Sequence, residues 1–161
     1  MPIEYSFSTK WKTTANIQNV WDAIRLSLEW PVWWKSFNSV IEITPGDEMG
    51  IGSIRRYTLR SPAHYKLTFD FLLTDRIEHK LLSGKASGEL EGSGFWHFNV
   101  NDGITYIECQ WNVKTTRAWM NMFAFLLKPA FKYNHRLVMK KGAQYLEKKL
   151  GVPVDAISRQ F

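Results

Sequence analysis

Few side chains in this sequence are of a kind that does chemistry, and their spacing thins them further. The four histidines, His64, His79, His97 and His135, and the single cysteine, Cys109, are scattered without HExxH or CxxC spacing, so no metal set is expected. His64 and His97 fall on the polar parity of their segments, and His79 lies near a strand start. Glu89 and Glu91 alternate outward from Leu90, and Glu108 stands opposite an apolar face, so no inward pair of carboxylates offers itself for acid/base work. No Ser, His and acid arrangement and no phosphate-cradling glycine loop is present, because Gly84, Gly88, Gly92 and Gly94 sit in strands as bends or bulges. No cofactor is expected. What remains is Arg55 and the adjacent pair Asn134 and His135.

Arg55 shares parity with Tyr57 and Leu59 in Ser53-Ile54-Arg55-Arg56-Tyr57-Thr58-Leu59. Turned inward, its guanidinium requires an anionic or carbonyl partner and can anchor a ligand's carboxylate or carbonyl oxygen. The more ordinary arrangement leaves it at a mouth, bridges it to a nearby carboxylate, or slips the register so that Ile54 points in. Asn134 and His135 are about 100° apart on a helix, so at most one points squarely inward. A histidine in a pocket can act as acid or base near neutral pH, though it more often serves as a structural hydrogen-bonder.

Elements of three kinds must position these residues. Residues 3–13 alternate, with Ile3, Tyr5, Phe7 and Trp11 on one parity, as a half-buried strand does. Asn16 can cap a short helix whose apolar stripe is Ile17, Val20, Trp21, Ile24 and Leu28, and Pro31 opens a second short helix. Residues 38–114 read as strands and turns. Within them Tyr65, Leu67, Phe69, Phe71 and Leu73 share one side; so do Leu82, Gly84, Ala86, Gly88 and Leu90; so do Trp96, Phe98 and Val100. Glycine and alanine on a buried strand face imply that something approaches closely there. Ile107, Cys109, Trp111 and Val113 face inward on the last strand, after the turn Asn101-Asp102-Gly103. From Thr116 to Leu150 the pattern is helical; Pro129 is expected to kink it, and Gly151 and Pro153 to end it. An α+β fold follows: about six to seven antiparallel strands, one apolar face, and one long C-terminal helix to cover it.

The chain reads as one domain over residues 1–161, without repeat or linker. Its eight Trp, ten Phe and six Tyr are many for the interior of a domain this size, where rings fill either a core or a ligand cavity. The net charge of +6 permits attraction to anionic partners; a transient contact with an anionic membrane surface is open, through Arg136, Lys140, Lys141, Lys148 and Lys149, and no nucleic-acid partner is expected. The lone cysteine fits a reducing compartment, and neither a secretory leader nor a membrane-length apolar run is evident, so a cytoplasmic location is expected.

Several local motifs, in order, resemble the SRPBCC group, the START-related polyketide-cyclase and lipid-transfer superfamily that includes the birch-pollen-allergen fold. They are Val20-Trp21-Asp22-Ala23, Trp33-Trp34, residues 50–57 (GIGSIRRY), residues 84–92 (GKASGELEG), residues 115–119 (TTRAW) and residues 134–142 (NHRLVMKKG). The resemblance covers essentially the whole chain and implies a helix-grip fold, a curved sheet wrapped around the long helix with a cavity between them. Tyr57, Phe69, Phe71, Trp96, Trp111, Phe123 and Phe131 are the rings expected to line that cavity, with Arg55, Asn134 and His135 as its polar groups. Three functions stay open, since members of one fold differ in activity. The leading one is binding or transport of a small apolar ligand, such as a lipid, isoprenoid or polyketide-like compound. The second is a metal-free cyclase or dehydratase in the same cavity. The third is an interaction module with a filled interior.

Overall fold

The computed structural model describes residues 2–60 and 65–157. His64 and the Ser61-Pro62 pair lie outside these residues. Strand β1 (Glu4–Thr13) is followed by helix α1 (Ile17–Arg25), a 3-10 turn (Ser27–Glu29) and helix α2 (Trp30–Trp33). Strands β2 (Phe37–Thr44), β3 (Ile54–Arg60), β4 (Lys66–Ile77), β5 (Leu81–Gly88), β6 (Leu90–Asn101) and β7 (Ile104–Thr115) then run as a meander. Helices α3 (Ala118–Met122) and α4 (Ala124–Leu150) and strand β8 (Val154–Ile157) complete the order. The eight strands form one curved antiparallel sheet in the order β2-β3-β4-β5-β6-β7-β1-β8, with α4 against its concave face.

Local chemistry accounts for these boundaries. The Asn16 Oδ1 accepts from the Gln18 backbone N–H at 2.7 Å and caps α1. Val20, Trp21, Ala23 and Ile24 are buried by that helix, whereas Leu28 falls in the 3-10 turn beyond its end and is exposed. Asp102 and Gly103 both have positive φ, as a two-residue hairpin turn requires. Val100, next to that turn near the end of β6, is exposed rather than turned into the core.

Three features depart from the pattern of the sequence. An eighth strand, Val154–Ile157, pairs with β1; four residues are too few to show an alternating pattern. The helical segment is interrupted at Phe123, which ends α3 and begins α4, while Pro129 lies inside a continuous α4 and costs it one bond, to the Phe125 carbonyl. Glu89 is only 9 % exposed. Gly88, at φ +102°, ends β5, and Glu89, between β5 and β6, is turned in to accept from the Tyr65 hydroxyl and, at 2.8 Å, the Thr68 N–H, with Arg117 Nε 3.2 Å away.

The grip itself is made by the second half of α4. Its buried residues, Val138, Met139, Gly142, Ala143 and Leu146, all lie there. Trp34, 1 % exposed, donates from Nε1 to the Val138 carbonyl at 3.2 Å. A Cβ on Gly142 would lie 2.6 Å from the Trp34 ring and 3.0 Å from the Trp11 ring, so glycine sets how closely the helix approaches the sheet.

Candidate functional site

A cavity of about 420 Å³ lies between the sheet and α4. Its walls are rings set by strand register. Tyr57 of β3 pairs with Phe69 of β4, and the two stack with centroids 5.4 Å apart. Phe69 in turn meets Trp111 of β7 at 5.3 Å, although β5 and β6 lie between their strands. That reach is possible because Gly84 and Gly94, cross-strand partners on β5 and β6, present no side chain. A Cβ on Gly84 would fall 2.7 Å from the Phe71 ring, and one on Gly94 would fall 2.2 Å from the Trp111 ring. The close approach expected from these small residues is therefore made by the protein's own rings, which lie across the glycine pair.

Arg55, Tyr57, Phe69, Phe71, Trp96, Trp111, Phe131, Asn134 and His135 all line the cavity. Phe123 does not. It is 45 % exposed at the junction of α3 and α4, because the helix interruption there removes it from the inward face. Asn134 and His135 both reach the lining despite their angular separation, since the cavity spreads under a broad arc of the helix.

Arg55 points inward, and no carboxylate of a described residue bridges it. Its Nη1 donates to the Arg25 carbonyl at 3.1 Å and to Ser27 Oγ at 2.8 Å, and Ser27 Oγ lies 2.8 Å from the Tyr57 hydroxyl. These bonds fix the guanidinium without neutralising it, and its Nη2 makes no hydrogen bond to a described residue. Burial pushes the Tyr57 hydroxyl above its ordinary pKa, opposed by the Ser27 bond and the Arg55 charge. The result is a cationic donor with two hydroxyls beside it, set among rings. It can hold a carboxylate, a carbonyl or an enolate oxygen.

His135 stacks face to face on Phe7, with ring centroids 3.9 Å apart. No described side chain hydrogen-bonds it, and burial pushes its pKa down to about 4, so the ring is neutral at pH 7. Asn134 donates from Nδ2 to the Arg60 carbonyl at 3.3 Å and ties α4 to the end of β3. Cys109 lines the cavity with its thiol pushed up to about 12, chiefly by burial, and is an inert wall. Of the other histidines, His79 bonds Gln18 in the β4–β5 turn and His97 is exposed.

Sequence reading missed Ser27, Arg25 and Arg76. Arg25 ends α1 and Ser27 opens the 3-10 turn after it, where no period marks a direction. Arg76 lies beyond a bulge between Leu73 and Asp75 that reverses the parity of β4 and turns it inward. It donates to the Met49 carbonyl and to Glu78 at 2.9 Å each and lies over the Trp21 ring, closing the end of the cavity near the β2–β3 loop.

No family model and no curated protein matches the chain. Solved structures do match. The Zhui aromatase/cyclase from Streptomyces sp. R1128 is 12 % identical, with a TM-score of 0.73 over 92 % of this chain and 94 % of that one. A START superfamily protein from Mycobacterium smegmatis is 11 % identical, with a TM-score of 0.71 over 91 % and 97 %. The di-domain ARO/CYC BexL from the BE-7585A biosynthetic pathway is 16 % identical, with a TM-score of 0.65 over 89 % of this chain, which spans half (50 %) of BexL. With sheet order, helix cover and these likenesses in agreement, the chain has the helix-grip fold of the SRPBCC/START-like proteins.

Proposed function

We propose that this chain binds and carries an amphipathic small molecule with a flat apolar body and one oxygen-bearing end, of lipid, isoprenoid or polyketide-like kind. The observation that carries this reading is the Arg55 guanidinium, held inside an aromatic cavity by a carbonyl and a hydroxyl and paired with no carboxylate among the described residues. A largely apolar chamber with a few placed polar groups is the usual form of a small-molecule site. The rings hold the body, and Arg55 with Ser27 and Tyr57 orients the oxygen.

The cyclase or dehydratase reading draws on His135 and Tyr57, both of which face the cavity. An imidazole whose pKa is near 4, with no partner to support its charge, is a weak base at neutral pH. Carriage is therefore the better account of these groups.

The test uses 9-anthracenecarboxylate and 9-methylanthracene as fluorescent probes. Wild-type protein is expected to bind both, the carboxylate more tightly. Arg55→Met is expected to weaken the carboxylate about tenfold or more and leave the hydrocarbon unchanged. Binding of neither probe overturns the carrier reading, and equal loss of both overturns the role of Arg55. Under the rival reading, His135→Phe would retain probe binding yet abolish cyclisation of a linear poly-β-ketone.

A further inference from the structure

The half of α4 that roofs the cavity faces the wrong way for a helix packed only on a protein core. Its inward residues, Phe131, Asn134 and His135, line the cavity. Its outward residues are apolar: Phe125 is 76 % exposed and Leu126 60 %. With Pro129 and Tyr133 these stand at i, i+1, i+4 and i+8, within an arc of about 100°. On the short α3 just before it, Met122 is 69 % exposed and Trp119 39 %, the latter set edge-on against Tyr65. Exposed apolar groups gathered in this way mark a contact surface.

Charge narrows what makes that contact. No Asp or Glu stands between Glu108 and Glu147, whereas Arg117, Lys128, Lys132, Arg136, Lys140 and Lys141 do. A second copy docking through the same face would set cations against cations. A phosphate backbone would satisfy the lysines but leave Met122 and Leu126 in water. A bilayer with anionic lipid satisfies both, since apolar side chains enter the acyl boundary while basic ones stay among phosphates.

We infer that the α3–α4 face docks on a bilayer containing anionic lipid, with Met122, Phe125 and Leu126 inserted and Lys128 and Lys132 among the headgroups. The same half-helix separates the cavity from the bound surface. Cargo thus has a short path between the membrane and the chamber.

Flotation of the full chain with vesicles tests this, using phosphatidylcholine alone or mixed with phosphatidylglycerol. The mixed vesicles are expected to carry well over tenfold more protein, and the excess to fall as salt rises. Phe125→Ser/Leu126→Ser is expected to lower partitioning at least tenfold, and Lys128→Gln/Lys132→Gln to lower it roughly tenfold on the anionic vesicles only. Both variants alter exposed positions, and unchanged 9-anthracenecarboxylate binding reports an intact cavity. Wild-type protein that stays with the soluble fraction, or variants that float as it does, overturn the inference. So does a wild-type dimer that Phe125→Ser/Leu126→Ser converts to monomer, which would assign the face to a second copy.

Discussion

The polar groups of the cavity differ in how they were legible. Arg55 was visible as an inward parity position, but the sequence could not choose between a cavity guanidinium and one bridged to a carboxylate. That choice rests on Ser27 and the Arg25 carbonyl, which arrive from a distant turn. Glu89 was misjudged for a related reason: strand parity was carried across Gly88, where the strand ends. His135 supplies a prediction. Its folded pKa, near 4, is below the ordinary 6.5, so above pH 6.5 it is neutral folded or unfolded. As pH falls from 6.5 to about 4, the unfolded chain takes up the proton first, and stability is lost by up to about 3 kcal/mol. His135→Phe keeps the stacking on Phe7 and is expected to remove that part of the loss. Urea unfolding of both proteins at pH 7 and pH 4.5 measures it; equal losses would show that His135 is not held neutral.

Among the elements, the two halves of α4 do different work. The second half is locked against Trp34 and Trp11 through Gly142, whereas the first half spans the cavity with no fully buried residue. Gly142→Ala forces a methyl group against indole atoms and is expected to destabilise the fold by about 1–3 kcal/mol. A chemical-denaturation midpoint measures this, and an unchanged midpoint would mean that the helix shifts freely on the sheet. The long helix was legible from composition and period, but its break was not. Proline is the usual marker of an interruption, yet the break falls at Phe123, where no side chain caps either helix. β8 was illegible because so short a strand is defined by its partner, β1.

For the whole molecule, parity and element order sufficed to read a single apolar face under a helix, since most of the long strands alternate along most of their length. Strand neighbours were readable for the meander β2 to β7, where consecutive strands pair. The position of β1 between β7 and β8 was not, because both partners lie near the far end of the chain. A carrier of this design gains stability from its cargo by mass action. A ligand at about a hundredfold its Kd is expected to add about 2.7 kcal/mol and raise the thermal midpoint by roughly 5–10 °C. Melts of the protein with 9-anthracenecarboxylate at such an excess check this, and no shift would favour a filled interior. The place of β1 also governs how the chain is made. On the ribosome β2 to β7 can zip up as successive hairpins, but β1, synthesised first, must wait for β7 and β8 with Tyr5, Phe7 and Trp11 unshielded. Closing that long loop is expected to be the slow, aggregation-prone step, and a nascent chain has no chamber to fill until β1 is enclosed by β7 and β8.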